Sequence, residues 1–176
     1  MSYTVEKDWA YEGLRCVVIM FSKVGFRCGY VGIGPDHPFY GKEYDEEVEV
    51  PSYVKDAVRH TELGKRSVML LFAPALHEDK VSPELLLDVH GGLTYSRGSK
   101  DYPVENNDTW WFGYDCGHVG DGKDLTVVDD FIRDLEQRFP TGGIVRTLDY
   151  CIRECESLAT QLNAIAEIIK ECKYGK

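Results

Sequence analysis

The chain contains no run of about 18 consecutive apolar residues, so no stretch reads as a membrane-spanning helix. Residues 1–15 lack a basic start followed by an apolar core, which argues against a secretory signal and for a cytoplasmic protein. There is no Cys-x-x-Cys pair among the 6 cysteines, so a structural zinc site is not expected. A Gly-x-Gly-x-x-Gly fingerprint and a His-Glu-x-x-His helix are also missing, which removes the usual marks of a dinucleotide fold and of a zinc protease. Positive charge is scarce: 20 Lys and Arg face 30 Asp and Glu, for a net charge of −10. Such a chain is a poor partner for a nucleic-acid backbone or an acidic membrane surface. Local positive patches are still possible, since Arg15, Lys23, Arg27, Arg59, Lys65, Arg66 and Arg97 fall in the first 100 positions, and a small anion needs only two or three such groups.

What is present is sufficient for a core. Apolar residues make up 43% of 176 residues, which predicts a single domain over 1–176. Cys16 and Cys28 lie in apolar strand-like segments, and Cys151, Cys155 and Cys172 share a helical face, so reduced, buried thiols are expected.

Residues 1–8 read as a loose polar lead-in. Cys16 to Phe21 reads as a strand and Phe26 to Ile33 as its hairpin partner, with Gly25, Gly29, Gly32 and Gly34 leaving room for bulges or for a ligand beside Arg27. Residues 34–41 form a rigid turn in which His37 is expected at the surface. Val48 and Val50 mark an edge strand or extended arm. Residues 51–58 open a short helix or connecting structure, and residues 67–73 suit a central strand, with a buried helix as the alternative. Val127 to Phe139 has helical spacing with Thr126 as its cap, and 124–143 is read as a peripheral helical excursion. From Leu148 the apolar residues recur at Cys151, Cys155, Leu158, Leu162, Ile165, Ile169 and Cys172, which predicts a helix over 147–171 capped by Thr147. That spacing also permits a self-paired coiled coil and a homodimer. A sheet needs a cover, however, and the helix supplies one within the chain. The expected fold is α+β: an antiparallel sheet of four to five strands covered by a long C-terminal helix.

Residues 85–121 hold the densest chemistry. Asp88 and His90 fall on one face if they lie in a strand. Leu93 to Tyr95 and Thr109 to Cys116 are then expected to pair as a hairpin, with Tyr95 opposite Thr109. That register would bring Asp88 and His90 to the level of Asp115, with His118 and Asp121 near the same end. Three chemistries fit. Asp88, His90, Asp115, His118 and Asp121 are suitable ligands for a divalent hydrolytic metal. Cys116 with His90 or His118 could supply a nucleophile and base, so His90, Cys116 and His118 are the catalytic candidates. Alternatively, Tyr95, Trp111 and their aromatic neighbours could stack a planar ring, with Arg27, Arg97 and His90 meeting phosphate, Asp115 accepting from ring nitrogens, and Asp88 and His118 among the ligand-binding residues. Against all three stands the plain reading that these aromatics and polar groups hold the core together.

Asp88-Val89-His90-Gly91-Gly92-Leu93-Thr94-Tyr95, Trp110 to Asp121 and Glu154-Cys155-Glu156-Ser157-Leu158-Ala159 together resemble the signature of a family of small bacteriophage and prophage proteins. Arg27 to Gly32 and His37 to Gly41 fit the same pattern, while segment 124–145 is longer than the pattern. The resemblance implies a viral or prophage origin and a host-cell cytoplasmic location, and it carries no reaction with it. Phage accessory proteins of this size often counter host defence, sometimes by sequestering nucleotide signals. The expected function is therefore the binding or sequestering of a small anionic, nucleotide-like metabolite. The alternatives are a metal-dependent hydrolase and a module that binds and inhibits another protein.

Overall fold

A computed structural model describes residues 3–49 and 80–174, with side chains described to residue 171. The expectations for residues 51–58 and 67–73, and the basic residues Arg59, Lys65 and Arg66, lie outside the described residues.

The main sheet has five strands, all antiparallel: β1 (Thr4–Tyr11), β2 (Leu14–Phe21), β3 (Phe26–Ile33), β6 (Tyr95–Gly98) and β7 (Trp110–Asp115), in the order β1-β2-β3-β7-β6. Short elements complete it: β4 (Val48–Glu49) paired with β5 (Lys80–Val81), α1 (Pro83–Leu86), β8 (Asp121–Gly122), α2 (Asp130–Arg138), β9 (Ile144–Val145) and α3 (Leu148–Tyr174). No helix among the described residues is long and apolar enough to cross a membrane.

The α+β architecture follows from periodicity. Alternation along β2, β3 and β7 sends Cys16, Val18, Val31, Ile33, Phe112 and Tyr114 to one face. There they meet Cys151, Cys155, Leu158, Leu162, Ile165 and Ile169, the stripe of α3, which lies across β2 and β3. Each large side chain so buried contributes about 1.5–3 kcal/mol. The Tyr114 hydroxyl is satisfied in this interior by donating to the Cys151 carbonyl at 2.9 Å. Thr147 caps α3 as expected, accepting from the Tyr150 N–H at 3.2 Å. The helix is thus spent within the chain.

The opposite face of the sheet is also closed. Val17, Ile19, Cys28, Tyr30 and Trp111 form a second core, covered by Tyr3, Phe21, Tyr95, Tyr102 and Val104. The five cysteines described here are free and buried.

Several expectations are corrected. From Thr4 onward the expected lead-in is instead a strand, because β1 pairs with β2 from Thr4 to Tyr11 with one bulge between Val5 and Lys7. The β3 glycines leave no room for a ligand. Gly29 faces Tyr114 and Gly113 faces Tyr30 across the same ladder, and a Cβ on Gly29 or Gly113 would lie 2.5 or 2.6 Å from the facing ring. The space belongs to two tyrosines. His37 is half-buried, with Nδ1 accepting from the Phe39 N–H and Nε2 at 3.0 Å from the Leu162 carbonyl. It is therefore the Nε2 tautomer, and burial holds its pKa below the usual imidazole value. α2 begins at Asp130 rather than 127, because Asp129, not Thr126, accepts from the Ile132 N–H. No residue of α2 is buried, so its apolar spacing faces outward. β6 and β7 do pair as a hairpin, but Tyr95 opposes Gly113 instead of Thr109.

Candidate functional site

The register change alters how the site is built. Asp88 and His90 do not lie in a strand. They follow α1 in an irregular segment pinned from both sides. The Asp88 backbone exchanges two 2.7 Å hydrogen bonds with the amide of Gln161, and the His90 N–H donates to Glu154 at 2.8 Å. Both partners project from α3. Val89 and Leu93 are buried on either side of the Gly91-Gly92 turn, closed by a 2.9 Å bond from the Gly92 N–H to the Val89 carbonyl. Gly91 has φ +68°, and a Cβ there would come within 2.1 Å of the His118 ring. The glycine is thus the seat on which His118 rests.

The second half of the site arrives from farther away. β8 and β9 form a parallel pair, Asp121 opposite Ile144 and Gly122 opposite Val145. This pair returns the chain beside its point of departure, and Arg146 and the first turn of α3 follow directly.

The centre is Asp121, whose side chain is 3% exposed. Its Oδ2 accepts from His90 Nε2 at 2.8 Å and from the His118 N–H at 3.1 Å, and its Oδ1 accepts from Arg146 Nε at 2.7 Å. Burial alone would raise this carboxyl's pKa. The bonds from Arg146, His90 and the His118 amide outweigh burial and hold it below the usual carboxylate range. An ionised Asp121 fixes the proton of His90 on Nε2, so Nδ1 accepts from the Tyr150 hydroxyl at 3.0 Å. The Arg146 guanidinium also lies over the Tyr150 ring, 5.0 Å from its centroid.

His118 packs edge-on to His90, with ring centroids 5.6 Å apart. Its Nδ1 stands 3.8 Å from both Asp115 Oδ1 and Asp121 Oδ2, outside hydrogen-bond reach. His90, His118 and Asp121 are a group of suitable ligand atoms within 4.8 Å of one another. Beside them opens a cleft of about 520 Å³, lined among others by Lys23, Phe26, His118, Asp121, Lys123 and Ile132.

The structure brings together His90, Asp115, His118 and Asp121, four of the five metal candidates. It leaves out Asp88, which is exposed and is not part of the cluster. Cys116 is no nucleophile. Its thiol is buried and lies 3.7 Å from the Cys151 sulfur, and that hydrogen bond, with burial, pushes its pKa far above the ordinary thiol value. The proposed phosphate ligand Arg27 is consumed internally: Glu6 at 2.6 and 3.0 Å, Asp124 at 3.0 Å and the Arg146 carbonyl at 3.1 Å take its donors. Trp111 is wholly buried, and Tyr95 packs against Tyr30 and Tyr102. Arg97 is exposed on β6 and does not line the cleft. Sequence reasoning missed Arg146, Tyr150 and Glu154. Their four-residue spacing, off the apolar stripe of α3, was the available signal.

Comparison with protein-family models, curated proteins and solved structures finds no match to this chain.

Proposed function

We propose that the protein binds a small anionic ligand, of nucleotide-like chemistry, in the cleft that ends on His118. The observation that supports this is the make-up of the cleft. Val24, Phe26 and Ile132 offer apolar surface, Lys23 and Lys123 stand at its sides, and an imidazole closes one end. A volume of about 520 Å³ lies within the range of small-molecule sites. Lys123 is held by Glu136 at 2.6 Å. Lys23 is exposed and forms no ion pair among the described residues, so its charge is available to an incoming anion. On a chain of net charge −10, a cationic rim is a local exception that would steer a small anion and repel a polyanion's backbone.

Sequestration rather than turnover fits the resemblance of its motifs to those of small bacteriophage proteins and the burial of the Cys116 thiol against Cys151. The protein would then act in the cytoplasm of a host cell. Calorimetry against nucleoside mono- and diphosphates and cyclic nucleotides tests the reading. Micromolar binding by one class, weakened severalfold in Lys23→Ala and by added salt, is expected. Absence of binding across the set would remove the proposal.

A further inference from the structure

Three buried side-chain polar atoms lack a hydrogen-bond partner among the described residues: Trp9 Nε1, Trp111 Nε1 and His118 Nδ1. The two indoles stand in apolar cores. His118 Nδ1 stands between two carboxylate oxygens, 3.8 Å from each. Neither protonation state satisfies it there. A proton on Nδ1 finds no acceptor in reach, and a bare lone pair faces two anionic oxygens. A cation between them answers both.

The spacing suits one. Two donors each about 2.1 Å from a single ion are separated by roughly 3–4 Å. His118 Nδ1 meets Asp115 and Asp121 at 3.8 Å, and His90 Nε2 meets Asp121 Oδ2 at 2.8 Å. The half-exposed side chains of His118 and Asp115 can close the remaining gap, whereas His90 and Asp121 are held from behind. We infer that His90 Nε2, His118 Nδ1 and Asp121 Oδ2, with Asp115 Oδ1 as a fourth donor, form a binding site for a divalent transition metal of the zinc class.

The surroundings support that choice. Two imidazoles with carboxylates favour zinc, cobalt or nickel over magnesium and calcium, which prefer oxygen alone. Arg146 occupies Asp121 Oδ1, which leaves Oδ2 as a single donor and lowers the net negative charge offered to the ion. Tyr150 stands behind His90 Nδ1 at 3.0 Å. When the metal takes Nε2, the single imidazole proton moves by exchange with solvent from Nε2 to Nδ1, and the Tyr150 hydroxyl turns its own proton away and accepts from Nδ1, the outer bond that metal-bound histidines usually make. His118 and Asp121 line the cleft, so an ion held there would be reachable from it. The site does not depend on the cleft's proposed ligand.

The test uses the full chain, stripped with a chelator and titrated with zinc chloride and, separately, cobalt chloride. One ion per chain is expected, with a visible cobalt spectrum typical of four- or five-coordination and with magnesium chloride giving no heat. His118→Ala, whose fold is checked by circular dichroism, should abolish the cobalt spectrum. Tyr150→Phe should weaken zinc by about tenfold. Lys23→Ala should leave metal binding unchanged while weakening any nucleotide, which separates failure of the two readings. Zinc affinity that is absent, or equal in wild type, His118→Ala and Asp121→Asn, would overturn the inference.

Discussion

Two aromatic and polar clusters of this protein use similar side chains and end in opposite states. On the face of the sheet away from α3, Tyr3, Tyr30, Tyr95 and Tyr102 pack edge to face in the core that holds Trp111, and the hydroxyls of Tyr30 and Tyr102 bond to each other. At the end of β7, His90, His118 and Tyr150 also pack edge to face, but around a buried carboxylate and beside a cleft. The first cluster packs around the buried Tyr30 and Trp111, and its hydroxyls find protein partners, Tyr30 on Tyr102 and Tyr3 on the Pro103 carbonyl. The second keeps one ring nitrogen unpaired and half-exposes the ring that carries it. Aromatic density alone therefore says little about binding. What separates a core from a site is the setting of the unpaired group: Trp111 Nε1 lies within an apolar core, whereas His118 Nδ1 lies between two carboxylates on a half-exposed ring at the edge of a cleft.

Substitutions can break this contrast. The largest effect is expected from Trp111→Ala in the first cluster. It should cost about 3–5 kcal/mol in chemical denaturation and leave the affinity of the folded fraction for ligand or metal unchanged. A loss of affinity without loss of stability would show that the two clusters are not separate.

Asp121→Asn comes next. It removes the charge that Arg146 and His90 share and should cost about 1–3 kcal/mol at neutral pH. The sign of its pH dependence follows from the lowered pKa of Asp121. Its stabilisation is complete above the carboxyl's unfolded value and is lost as pH falls through the folded one. Wild type should thus lose stability more steeply on acidification than Asp121→Asn, and equal acid limbs in urea melts would contradict the assignment.

The smallest change in stability is expected for Gly91→Ala, about 1–2 kcal/mol for a side chain at positive φ. Its effect on binding should nevertheless be clear, because the new methyl group occupies the seat of the His118 ring. Proton NMR of the histidine ring would report the displacement. An unmoved His118 resonance would show that Gly91 serves the turn alone.

Much of the frame was legible in the sequence. The apolar run at 16–21, the alternation in 26–33, the aromatic-rich stretch 109–116 and the three-four spacing after Leu148 reflect burial, on both faces for the strands and on one stripe for the helix, so β2, β3, β7 and α3 could be read from them. β1 was obscured because its period-two pattern passes through Lys7 and Asp8, and an edge strand tolerates such charge. The hairpin register was misplaced by four residues because the long loop 99–109 imposes no turn geometry. His90 and His118 were correctly brought together for an incorrect reason: a glycine turn, not a strand, delivers His90. Arg146 could not be placed beside Asp121 at all. Their contact depends on two-residue strands that carry no periodic signal.

The β8–β9 pair has one more consequence. It holds the two ends of segment 123–143 side by side, while Asp124, paired with Arg27 and with the Gly25 carbonyl, and the buried Val128 dock the segment on the sheet. Ile132 and Thr141, which the segment contributes, form part of the cleft lining. The cleft therefore joins a wall supplied by this segment to a histidine end whose parts are held by α3 and Arg146, so one strand pair of two residues each sets the distance between the two halves of the lining.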